Sequence, residues 1–204
     1  MAVSLQKGQK VSLKKSNGKK LSHLMVGLGW DAAKSEEKKS GGFFSRLFGS
    51  SPANIDCDAS VFVCQGGHFV DNDDLVYFGN LAHKSGSIKH MGDNLTGEGE
   101  GDDEQVFVDL DAIPDQYDKL IFVVNIYKAV DRKQHFGMIR NAYIRIIDPD
   151  TREELCRFNL SDDYTDMLSM IAGEVYRYKG EWKFNAVGTG TKDTGLKDLA
   201  RRFA

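Results

Sequence analysis

A chain of 204 residues that sets 27 lysines and arginines against 30 aspartates and glutamates has no overall charge with which to seek nucleic acid or anionic lipid. Its 41% hydrophobic content and three prolines suit one soluble globular domain with a sizeable core, not an extended linker architecture. Cys57, Cys64 and Cys156 form no Cys-x-x-Cys pair, which excludes a disulfide framework and points to a reducing compartment.

Residues 1–8 lack the apolar core of a secretory signal, and no run approaches membrane-spanning length, so a cytoplasmic protein is expected. Residues 32–54 change in composition, from a charged stretch through Gly41-Gly42 to Phe43-Phe44-Ser45-Arg46-Leu47-Phe48 and a run of serines. That pattern predicts an inserted mobile loop. Phe43, Phe44, Leu47 and Phe48 would share a face if it turned helical. They either tuck onto the domain or, behind Lys38 and Lys39, dock a partner or a membrane surface.

Strands are predicted at 59–65, 106–110, 120–130, 142–148 and 180–188, all β-branched or aromatic runs bounded by Gly, Asp, Asn or Pro. Val106, Val108 and Leu110 alternate with Phe107 and Asp109, the period of a half-buried strand. Asp148-Pro149-Asp150-Thr151 and Tyr178-Lys179-Gly180-Glu181 read as turns. Strands joined this way build a mainly β fold, an antiparallel sandwich spanning 1–204 as a single domain. At the end, Leu196, Leu199 and Phe203 fall on one face of a short docked helix.

From Gly92 to Glu104 the chain packs six carboxylates (Asp93, Glu98, Glu100, Asp102, Asp103, Glu104) among closely spaced glycines. Such carboxylates repel, and glycine opposes both helix and strand, so the run gains stability only around a hard cation. Calcium takes ~6–8 oxygen ligands from carboxylates, amides and backbone carbonyls, whereas magnesium keeps its waters. Asn94 adds an amide oxygen, and Gly97 lets a backbone carbonyl turn inward. An EF-hand register fails: counted from Asp93, the next ligand positions are Leu95 and Gly97, and only Glu104 falls in place. Any site is therefore a loop site on a β framework. Asp56 and Asp58 share a face of the strand that follows, while Cys57 points to the other. The predicted metal ligands are thus Asp56, Asp58, Asp93, Asn94, Gly97, Glu98, Asp102, Asp103 and Glu104, around more than one calcium ion. Asp31 is a weaker member. The bland alternative is a solvated acidic loop beside a charged strand end.

Asp71-Asn72-Asp73-Asp74 reads as an Asx-rich turn, and Ser161-Asp162-Asp163 as a capped one. His23, His68, His83, His90 and His135 are scattered without metal-ligand spacing. Gly188-Thr189-Gly190-Thr191-Lys192 lacks the spacing of a phosphate loop. Isolated cysteines without basic neighbours read as core residues, not as a reductant. With no base paired to a nucleophile, a non-enzymatic role is expected. The rival is a metal-dependent enzyme that holds a phosphate-containing substrate against the ion.

The ordered motifs Met25-Val26-Gly27-Leu28-Gly29-Trp30-Asp31, Asp56-Cys57-Asp58-Ala59-Ser60-Val61-Phe62, Gly92 through Glu104, Leu120 through Tyr127, Phe136-Gly137-Met138-Ile139-Arg140-Asn141 and Glu181 through Gly188 together resemble the TerD-like tellurite-resistance and stress-protein family. Two departures stand out. The connection from Asp31 to Asp56 is longer than the family's usual one, and Cys57 replaces a common aliphatic residue. The resemblance implies a calcium-binding β-sandwich without catalytic activity, acting in resistance to tellurite and other chemical stress. It also implies protein partners in a stress complex, with the inner membrane surface as a place of contact and no nucleic acid.

Overall fold

The computed structural model describes residues 2–32, 55–92 and 101–204. In chain order its strands are β1 (Val3–Leu5), β2 (Lys10–Ser12), β3 (His23–Ala32), β4 (Cys57–Gln65), β5 (Leu75–Val76) and β6 (Ile88–His90). They continue as β7 (Glu104–Asp109), β8 (Tyr117–Ile126), β9 (Ile139–Asp148), β10 (Glu153–Asn159), β11 (Ser169–Tyr178) and β12 (Glu181–Thr191). Two α-helices, α1 (Ala129–Arg132) and α2 (Leu196–Phe203), and two single 3-10 turns at Asn72–Asp74 and Phe136–Met138 complete the described elements.

The strands form two six-stranded sheets, ordered β1-β10-β9-β3-β7-β6 and β2-β12-β11-β8-β4-β5. Neighbours run antiparallel except β1, which lies parallel to β10 with Val3 against Cys156. The expected antiparallel sandwich is therefore present with one parallel edge. Its core comes from period-two alternation. Leu24, Val26 and Leu28 of β3, Val106 and Val108 of β7, and Ile144 and Ile146 of β9 are buried against Val61 and Val63 of β4, Leu120, Phe122 and Val124 of β8, and Phe184 of β12. Each such side chain is worth roughly 1.5–3 kcal/mol when taken out of water.

A second apolar cluster covers the outer face of the other sheet. Phe62 and Cys64 of β4, Ile121 and Val123 of β8 and Ile171 of β11 lie beneath Leu199 of α2, with Leu196 and Phe203 packed against them. Phe62 meets the rings of Phe69 and Phe203 edge-on at 4.9 and 5.0 Å. The i, i+3, i+7 stripe read from the sequence is the face that docks.

Both expected turns are present. Lys179 and Gly180 have positive φ, the mirror-image geometry that matches a two-residue hairpin to strand twist. Asp148 holds its turn by accepting from the Asp150 and Arg152 amides. One strand expectation is corrected: the run 120–130 leaves the sheet at Ile126. Cys57, the first residue of β4, pairs with Ile126, so beyond that point the chain loses this partner strand and turns through Lys128 into α1. Residues 33–54 of the expected inserted loop lie outside the described residues.

Candidate metal centre

The register brings the acidic segments to one end of the sandwich. β3 finishes where β7 and β9 begin, with Leu28 opposite Glu104 and Ala32 opposite Ile139. In the other sheet β8 finishes where β4 begins, and the Tyr127 amide donates to the Asp56 carbonyl at 2.7 Å. Glu104 then joins the sheets, its Oε2 accepting from the Ala59 amide at 2.8 Å and from His90 Nε2 at 3.0 Å. Asp31, Asp56, Asp58, Asp102, Asp103 and Glu104 therefore occupy the same pole. Asp93, Asn94, Gly97 and Glu98 lie outside the described residues.

These carboxylates have different surroundings. The Asp102 side chain is buried, bidentate to Arg145 Nε and Nη2 at 2.7 and 2.9 Å, and accepts from the Tyr143 hydroxyl at 3.0 Å. It lies over Gly27, where a Cβ would occupy its carboxylate, and Tyr143 covers Gly29 in the same way. The glycines of β3 are thus seats for the side chains above them. Arg145 continues to Glu154, Glu154 to Arg157, and the Arg157 guanidinium stacks 4.1 Å from the Tyr143 ring. The lone pairs of Asp102 are thus largely taken by protein donors.

Asp103 differs. Its Oδ2 accepts from the Trp30 amide at 2.6 Å. Burial raises its carboxyl above the ordinary value, the Trp30 amide opposes that, and the charges of Asp31 and Asp102 add to the rise. A carboxylate crowded by like charges gains from a cation. Asp31 accepts from Asn141 Nδ2 at 2.7 Å, and half-exposed Asp56 is 3.5 Å from Arg132.

Asp58 provides the test of fit. On β4, Asp58 and Ser60 share the outer face, and Asn125 of β8 stands directly opposite Asp58. Both neighbours are nearly inaccessible, Ser60 at 1% and Asn125 at 8% exposure. Among the described residues neither the Ser60 hydroxyl nor Asn125 Oδ1 has a hydrogen-bond partner. Oxygens of this kind beside a carboxylate match the donor set a hard cation takes. Sequence reading missed both residues. The available signal was an asparagine inside the apolar run 120–126.

Among the described residues no three His, Cys, Asp or Glu side chains gather closely enough to hold an ion by themselves. Other polar groups serve the fold. The turn at Asp71 forms as expected, yet Asp74 is fully buried and accepts from Tyr117 OH at 2.8 Å, Lys84 Nζ at 2.7 Å, His83 Nε2 at 3.1 Å and Gln65 Nε2 at 3.1 Å. Burial pushes its carboxyl upward, but those donors, Lys84 foremost, hold it below the ordinary value. The three cysteines are buried thiols, with Cys64 and Cys156 pushed up to about 12 by desolvation. That leaves the thiol reductant without support.

A model of the TerD domain matches residues 1–203. The chain belongs to the TerD family. It is 54% identical over 203 residues to stress response protein SCP2 of Bacillus subtilis (strain 168), covering all of both chains. It is 41% identical over 191 residues to tellurium resistance protein TerD of Serratia marcescens, covering 93% of this chain and 91% of that one. A solved TerD homologue from Streptomyces coelicolor A3(2), titled a homologue of telluride resistance protein, superposes with a TM-score of 0.57 at 19% identity. It covers 85% of this chain and 92% of its own. For this TerD chain that likeness establishes the sandwich. Among the described residues no helix is long and apolar enough to cross a membrane.

Proposed function

We propose that this TerD chain binds calcium at its acidic pole, taking more than one ion, and acts without catalysis in resistance to tellurite and other chemical stress. The observation that carries this reading is the pair of donorless buried oxygens, Ser60 Oγ and Asn125 Oδ1, beside Asp58. Asp56, Asp58 and Asp103, with the 93–98 segment, supply the remaining oxygens. Bound calcium neutralises the clustered acids, fixes their loops and shapes a surface for a protein partner. Support for the cellular role comes from relatives named for stress response and tellurium resistance. Support for a non-catalytic role comes from the two closest His–carboxylate pairs, His83–Asp74 and His90–Glu104, whose side chains are buried inside the fold.

Calorimetric titration of chelator-treated protein tests the reading. A dissociation constant on the order of 10⁻⁷–10⁻⁵ M is expected. The melting temperature should rise with it, since a hundredfold excess of ligand stabilises by about 2.7 kcal/mol. No heat and no rise at millimolar calcium would end the proposal.

A further inference from the structure

The segment that follows β8 is built to project. Lys128 and Lys133 bracket the single turn of α1, both in the left-handed region with φ of 51° and 54°. Such angles disfavour any side chain with a Cβ. The turn is held from beneath by buried Ala129 and by the Gln134 amide, which donates to the Ala129 carbonyl at 2.8 Å. What it holds outward is apolar and cationic together. Val130 is 60% exposed, with Tyr127 and Met138 also in solvent. The Tyr127 ring lies under Lys128 Nζ at 5.2 Å and the Arg132 guanidinium at 5.1 Å. Lys133 extends the basic margin. Asp131 and Asp56, the latter 3.5 Å from Arg132, face it, while Asp163 and Asp166 lie beside His135 on its far side and Asp31 stands opposite Arg140.

An aliphatic tip ringed by cations with an aromatic at its base matches the boundary between lipid headgroups and acyl chains. The acids of the metal pole adjoin this segment through the Tyr127–Asp56 backbone bond, and while uncompensated they repel anionic lipid. We propose that residues 127–133 dock the protein on an anionic lipid surface, and that calcium at the adjoining pole permits this by cancelling that repulsion. The inference rests on the calcium reading and adds to it the partner surface.

The test is co-sedimentation of the full chain with phosphatidylcholine vesicles, with and without phosphatidylglycerol, in calcium or in chelator. Calcium uptake is measured separately by calorimetry. Binding is expected only with the anionic vesicles in calcium. Val130→Asp should lower partition on the order of tenfold by placing a charge at the acyl boundary. The pair Lys128→Glu with Lys133→Glu should lower it by at least about thirtyfold, since each basic residue near such a surface is worth about 1 kcal/mol. All these side chains are exposed or at the turn's ends, so the melting temperature in chelator should match wild type and calcium heat should persist in each variant. Calcium uptake without sedimentation overturns the docking proposal alone, as does equal binding to pure phosphatidylcholine or wild-type partition by the charge-reversed pair. Absence of calcium heat removes the reading beneath it as well.

Discussion

At Asn125 a single oxygen separates two energetic regimes. A buried acceptor without a donor carries a desolvation cost of about 1–3 kcal/mol, which an apolar side chain of similar shape avoids. Asn125→Leu should therefore leave the metal-free protein as stable as wild type or more so, while removing much of the stabilisation by calcium. Paired melts in chelator and in calcium check this, and a variant that loses stability in chelator while keeping the full calcium increment contradicts it. Asp74 presents the opposite case, an acceptor with four side-chain donors. Asp74→Ala should cost about 2–4 kcal/mol in urea denaturation at unchanged m-value, because buried donors lose their acceptor. Its folded carboxyl is held below the ordinary 3.8, so its contribution is complete above that value and is lost as pH falls through the depressed one. Asp74→Asn should accordingly flatten the acid limb of the stability curve below roughly pH 4. An unchanged acid limb would mean the donors do not favour the charged form.

Elements differ in how plainly their residues announce them. The runs in β4, β7, β8, β9 and β12 were legible because alternation and turn chemistry agree. The stripe of α2 was legible because Leu196, Leu199 and Phe203 recur at helical spacing. β3 was not, since Gly27 and Gly29 weaken a strand by every local criterion, and their reason lies above them in Asp102 and Tyr143. In β11 the register shifts between Ile171 and Gly173, which breaks the period on which such reading depends. The glycine seats lead to a prediction at this scale. Gly27→Ala thrusts a methyl into the Asp102 carboxylate, so the Arg145 pair must open. Stability should fall by several kcal/mol, in the manner of a buried ion pair that is broken. An alanine variant that melts like wild type would show that Asp102 can move aside freely.

For the whole molecule, the acidic cluster was legible as composition and the pole as geometry was not. Asp56 and Asp58 lie at the start of β4 in one sheet, Asp103 and Glu104 at the start of β7 in the other, and the packing of β4 against β7 brings them together. Ser60 and Asn125 escaped notice because a polar residue in an apolar strand signals nothing until its partners are known to be missing. The histidines, scattered in the sequence, turn out to include two buried members, each bound to a carboxylate of a neighbouring element.

The parallel edge has a consequence in time. β1 is synthesised long before its partner β10, since the pairing joins Val3 to Cys156. Contacts so distant in sequence form slowly, so the edge of the first sheet waits open during synthesis. Behind that edge lies Cys156, 1% exposed in the finished protein. A chain shortened by residues 1–6 should resemble this waiting state, folded in its core but with the Cys156 thiol open to alkylation. Rapid labelling of Cys156 by iodoacetamide in the shortened chain, against slow labelling in the full one, is the expected result. Equal rates would mean that the first strand shields nothing.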